Sequence, residues 1–202
     1  MKLNLLGLAL AGVMLVASPA SALVLSVSGG APSVVPGNFN PSGFPGGLAA
    51  GDNITIGGTL SLSANTELTF EFLGKEAGFV NTFELSGIEL FSTATAAVND
   101  ATTSLVNAGA VPFSFKTTNG GGLTANNGGI APAGLSIAFA DLGNDAFLAL
   151  FGDGGGDVDY DDMVVKISVS QVPLPAAVWL LLSAVMGLVS FSTIRRRGSQ
   201  TA

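Results

Sequence analysis

Apolar and polar positions alternate along much of the central chain. Ile54 to Ser63 (ITIGGTLSLS) places Ile54, Ile56, Leu60 and Leu62 on one parity. Glu67 to Leu73 (ELTFEFL) places Leu68, Phe70 and Phe72 on one side and Glu67, Thr69 and Glu71 on the other. A period of two marks a half-buried strand, because successive side chains point to opposite faces. Leu23 to Ser28 (LVLSVS) reads as another short strand, and 82–91, 111–117, 135–140, 146–151 and 163–169 as further ones. About eight short strands punctuated by Gly, Asn and Pro predict an all-β fold, an antiparallel β-sandwich or jelly roll. Residues 29–53, rich in Gly, Pro, Ser and Asn, are expected to form a long loop or irregular edge. The stretch 92–109 fits either a short helix or another strand pair, and 117–134 (TTNGGGLTANNGGIAPAG) reads as a mobile loop. No internal repeat is visible.

Both ends break this pattern. Met1-Lys2 opens a short positive region, and an apolar run interrupted only by Asn4 extends from Leu3 to Val16. Small residues follow, with Ala20 and Ala22 at the positions that a signal peptidase reads. Residues 1–22 are therefore expected to be a cleaved signal peptide, with Leu23 as the mature N-terminus. At the other end, Ala176 to Ile194 (AAVWLLLSAVMGLVSFSTI) carries no charge and has no polar face. As a helix it would be about 28 Å long, enough to cross the hydrocarbon layer. Trp179 lies near one boundary, where an amphipathic ring favours the interface. Arg195, Arg196 and Arg197 follow as a stop-transfer cluster that would keep the C-terminus cytoplasmic. The organisation expected is a leader over 1–22, an exported β-domain over 23–170 and a membrane-targeting tail over 171–202.

Immediately before the span stands Val172-Pro173-Leu174-Pro175-Ala176. This motif, then an apolar helix, then a basic cluster, resembles the PEP-CTERM sorting signal in its VPLPA form, over about residues 171–198. The resemblance implies recognition by an exosortase, a membrane-embedded cysteine protease or transpeptidase of Gram-negative bacteria. It also implies export through the inner membrane, transient anchoring, and a destination at the cell surface or in an extracellular polysaccharide and biofilm matrix. The physical logic agrees: Pro173 and Pro175 lack amide donors and hold the chain extended, as a protease groove requires.

Charge narrows the chemistry. The net charge is −7, but between residues 23 and 174 only Lys75, Lys116 and Lys166 face the 14 carboxylates, a local balance of −11. So acidic a domain repels phosphate backbones, and nucleic acid is not an expected partner. Cys and His are both absent. That removes Ser-His-Asp and Cys-His catalysis, histidine-ligated zinc and thiolate clusters.

The most chemically loaded segment is Gly152 to Asp162 (GDGGGDVDYDD), where Asp153, Asp157, Asp159, Asp161 and Asp162 crowd into ten residues between two strand-like runs. At about 5 Å and an effective dielectric near 20, each close pair of carboxylates costs about 3 kcal/mol before screening. Calcium relieves such repulsion, since it accepts six to eight oxygens and tolerates irregular loops. The segment is not an EF-hand. Asp157, Asp159 and Asp161 would fit positions 1, 3 and 5, but Asp162 stands where the turn needs Gly, and Ser168 where a bidentate Glu is required. It resembles a G-G-D-x-D-[FY]-[DN]-D signature of exported bacterial β-domains, which implies a calcium loop. A solvated hairpin turn is the other reading, Asp and Gly being turn formers. Glycosidic catalysis needs two facing carboxyls in an aromatic-lined cleft, and the chain has one Tyr and one Trp, with Trp179 in the span. The expectation is a non-enzymatic exported surface or matrix protein with a calcium-stabilised β-domain. The alternatives are a carbohydrate-binding module stacking sugar on Phe or Tyr160, and a secreted carboxylate-dependent hydrolase.

Overall fold

The computed structural model describes residues 24–170, apart from 42, 43, 46, 77, 133 and 155–158. The leader 1–22, the sorting motif 172–176, the apolar segment 176–194, Arg195–Arg197 and Asp157 therefore lie outside the described residues. Fourteen strands follow in chain order: β1 (Leu25–Ser28), β2 (Ala31–Val34), β3 (Asn53–Ile56), β4 (Thr59–Leu62), β5 (Thr66–Gly74), β6 (Asn81–Leu85), β7 (Ile88–Ser92), β8 (Ala101–Val106), β9 (Gly109–Ala110), β10 (Phe113–Thr117), β11 (Thr124–Asn126), β12 (Ser136–Gly143), β13 (Ala146–Gly152) and β14 (Met163–Val169). The described residues contain no α-helix, only a 3-10 turn at Asn119–Gly121.

The strands form three antiparallel sheets. A seven-stranded sheet runs β2-β3-β12-β13-β14-β5-β8, a four-stranded one β11-β10-β6-β7, and a three-stranded one β1-β4-β9. The first core gathers Leu25, Leu60 and Leu62 from the small sheet, Phe83, Phe113 and Phe115 from the middle one, and Phe70, Phe139, Phe151 and Ile167 from the large one. Phe115 and Phe151 stack with ring centroids 4.8 Å apart and planes at 3°. A core shared in this way is consistent with a β-sandwich.

The large sheet is buried on its other face too. Ile54, Leu73, Ala138, Ala140, Leu148, Leu150 and Val164 build a second core there, joined by Val35 and Tyr160. Phe39, Phe44 and Leu48 cover it from the segment between β2 and β3. Phe39 and Phe44 meet edge to face at 5.7 Å and 88°. The ends of this cover are closed by Val35 N–H donating to the Asp52 carbonyl (2.8 Å) and Gly51 N–H donating to the Val35 carbonyl (2.9 Å). Two-sided burial explains why 146–151 reads as an unbroken apolar run: Phe147, Ala149 and Phe151 enter the first core, Leu148 and Leu150 the second.

Several expected elements are finer than the sequence pattern suggested. The single strand read over 54–63 is two strands in different sheets. Gly57 and Gly58, at φ +68° and +84°, turn the chain between them, so Ile54 enters the second core while Leu60 and Leu62 enter the first. Residues 82–91 fold as the β6–β7 hairpin, turned at Ser86-Gly87 with φ +53° and +80°. The ambiguous stretch 92–109 holds β8, paired with β5, and no helix. The expected loops 29–53 and 117–134 contain β2 and β11.

The β12–β13 turn also anchors the start of the domain. Asn144 and Asp145 adopt φ +52° and +55°. Asp145 Oδ1 accepts the backbone N–H groups of Val24 (2.6 Å) and Leu25 (2.9 Å). Asp141 Oδ1 accepts the Gly143 N–H at 2.7 Å. Both carboxylates therefore already serve the backbone. Asp145→Ala should cost about 1–3 kcal/mol in urea denaturation, because two part-buried donors lose their acceptor. Asp145→Asn keeps an acceptor oxygen and tolerates the left-handed backbone, so it should retain most of that stability.

Candidate cation site

The site forms where three chain segments meet at one end of the large sheet. β13 ends at Gly152 and β14 begins at Met163, with the acidic segment between them. β5 pairs with β14 so that Gly74 opposes Val164. Beyond that pair the chain continues alongside, with Glu76 N–H donating to the Asp161 carbonyl at 2.8 Å. This register brings one carboxylate oxygen each of Glu76, Asp159 and Asp161 within 4.8 Å of one another. The cover segment supplies the neighbouring donors. Asn38 Nδ2 donates to Asp159 Oδ2 at 2.9 Å, and Asn40 N–H to Asp161 Oδ2 at 2.6 Å.

Asp153 and Asp162 sit beside this group. Asp153 N–H donates to Asp162 Oδ2 (2.7 Å), and Asn81 Nδ2 donates to Asp153 Oδ2 (3.0 Å) and to the Asp162 carbonyl (3.3 Å). Asn119 Nδ2 donates to the Asp153 carbonyl at 3.0 Å. Gly154, at φ +77°, is constrained by more than its turn. A Cβ placed there would stand 2.8 Å from the Gly134 carbonyl oxygen, so only glycine lets the acidic segment lie against that backbone.

The carboxylates are buried rather than solvated: Asp153, Asp159 and Asp161 are 1%, 2% and 1% exposed. The reading of 153–162 as a solvated turn does not hold for these positions. Burial is the chief cause that pushes the Asp161 carboxyl up to about 8. The Asn40 N–H opposes the shift, while Asp159 and then Glu76 add to it. Burial likewise pushes Asp162 up to about 7, opposed by the Asp153 N–H and reinforced by the charges of Asp153 and Asp159. Each lysine of the domain has another partner. Lys116 pairs with Glu84 (2.6 Å), Lys166 with Glu71 (3.0 Å), and Lys75 donates to the Thr93 carbonyl. Asp161 Oδ1 is buried with no hydrogen-bond partner among the described residues. A buried acceptor without a donor, next to two further carboxylates, is the chemistry that a hard, oxygen-seeking cation satisfies.

Of the five aspartates singled out in the sequence, Asp159 and Asp161 join the three-carboxylate group. Asp153 and Asp162 form an adjoining pair, and Asp157 is outside the described residues. Glu76 was not foreseen. It lies 85 residues before Asp161 and becomes a neighbour only through the β5–β14 register. Tyr160, the tyrosine offered as a sugar platform, has its ring in the second core and is 4% exposed. Two surface cavities, of about 290 and 150 Å³, have no carboxylate in their lining. Neither a known protein family nor a curated protein matches this chain.

Proposed function

We propose that this chain is a non-enzymatic exported protein of a cell surface or extracellular matrix, whose β-sandwich or jelly-roll domain is held by a calcium ion. Glu76, Asp159 and Asp161 would ligate the ion, and carbonyls or waters would fill the remaining positions that calcium requires. The observation that carries the calcium reading is the buried, donorless Oδ1 of Asp161 within a group of three converging carboxylates. Calcium supplies charge neutralisation and geometry here, with no reaction step.

The targeting part of the proposal is carried by the sequence. A leader with Ala20 and Ala22 before the cut, the VPLPA motif, an uncharged 176–194 and three arginines occur in the order that export and exosortase sorting use. The chain would cross the inner membrane, be held by its C-terminal helix, and pass to an exosortase-type enzyme, with extracellular polysaccharide as its surroundings. Mass spectrometry of the mature extracellular protein should find a chain that begins at Leu23, ends near Pro175 and lacks Trp179. A mature pool that keeps 176–202 would replace sorting by a plain membrane anchor.

A further inference from the structure

We infer that the cation at Glu76, Asp159 and Asp161 is a clasp that closes the 36–52 segment as a strap over the second core. The inference rests on the cation reading above and adds what the ion controls.

The described residues of the strap form no strand, and the backbone hydrogen bonds within it are local: Phe39 N–H to the Pro36 carbonyl (3.3 Å), Phe44 N–H to the Pro41 carbonyl (3.2 Å) and Asp52 N–H to the Ala49 carbonyl (3.0 Å). Among the described residues, Asn38 and Asn40 tie it to the acidic segment, each across 121 residues of sequence. Both end on carboxylates of the three-membered group. Between these attachments Phe39 lies against the second core, with Phe44 and Leu48 further along.

With the ion bound, Asp159 and Asp161 are drawn together, and their Oδ2 atoms stay where Asn38 and Asn40 need them. Without it, no ion fixes the spacing of these two side chains, and the two strap bonds shift with them. The strap then keeps only its aromatic packing, and the outer face of β12, β13 and β14 becomes open to water. The strap packs on the second core alone, while the ladders within the sheet and the first core on its other face do not involve it. Removal of the cation should therefore open one layer while the rest stays folded, a local opening rather than a global one.

Hydrogen exchange read by mass spectrometry on the full exported chain tests this, comparing millimolar calcium with a chelator. The backbone amides of Val35, Asn40, Gly51 and Asp52 should exchange at least about tenfold faster in chelator, while those of β13 and β14 change by less than about twofold. Linkage supplies a second readout. If calcium closes the strap, loosening the strap must weaken calcium, so Phe39→Ala, which alters no proposed ligand, should lower calcium affinity by about 5-fold or more in titration calorimetry. Calcium binding with unchanged exchange over 35–52 would overturn the clasp and leave the cation site standing. An unchanged calcium affinity in Phe39→Ala would do the same. No heat of binding for calcium together with no change in exchange would overturn both.

Discussion

Stripped of calcium, the protein should lose stability as pH rises from about 4 to about 8, and calcium should cancel or reverse that slope. The sign follows from two carboxyls. Asp161 and Asp162 titrate near 8 and 7 in the fold, against an ordinary 3.8. Between these limits the folded state holds protons that the unfolded state has released, so raising the pH favours unfolding. Each such group contributes up to about 1.4 kcal/mol per pH unit within its window. Calcium needs the ionised carboxylates, so protons outcompete it near pH 5 and its effect grows toward pH 8. At a hundredfold excess over Kd it adds about 2.7 kcal/mol, which for a domain of this size is several degrees in Tm. Magnesium should add less, because it demands near-octahedral geometry and retains its waters. Asp161→Asn removes one raised carboxyl, so it should flatten the metal-free slope and abolish most of the calcium gain. Thermal melts across pH 5–8 with calcium and with chelator measure all of this. Identical melts in the two conditions at pH 8 would leave the buried carboxylates without a cation.

Phe83→Ala should be the most damaging single truncation in the first core, at about 3–5 kcal/mol and on the order of 10 °C in Tm. Phe83 is fully buried. Its ring has centroids of Phe113 and Phe115 at 5.2 Å, Phe70 at 5.7 Å and Phe91 at 6.3 Å. These neighbours come from β5, β7 and β10, so the cavity would open where two sheets meet and none could collapse into it without shifting its own strand. Ile88, on the adjacent hairpin, is 68% exposed, and Ile88→Ala should stay within about 0.5 kcal/mol. Urea denaturation of the two variants beside the wild type gives the comparison. Equal losses would mean that the aromatic cluster is not the centre of the core.

The alternation in ELTFEFL was readable because β5 has a strongly apolar face and a polar one, Glu71 pairing outward with Lys166. Where a strand is covered on both sides, as β13 is, alternation disappears and only length and flanking glycines mark it. The strand boundaries at Gly57-Gly58 and Ser86-Gly87 depend on backbone dihedrals, and a hydropathy pattern carries those only as the identity of the turn residues. The aspartates of the site stood out by their density in one segment. Their burial did not, since it comes from a strap more than a hundred residues away. Glu76 was hidden for the same reason: an antiparallel neighbour of β14 adds its next residues to the site, but pairing partners are not written in local sequence. Once β5 and β14 are taken as neighbours, the residues just after Gly74 become candidates.

The order of the large sheet governs when the chain can fold. β14, the last strand described, lies in the interior of that sheet, with β13 on one side and β5 on the other. Until its residues are available, β5 and β8 have no route to β12 and β13, and the first core lacks Met163, Val165 and Ile167. A chain delivered from its N-terminus can form the other ladders first, but the large sheet closes only when residues 163–169 are available. Pairings this distant in sequence also make folding intrinsically slow. A late keystone strand therefore lets the large sheet close only after nearly all of the domain has been delivered.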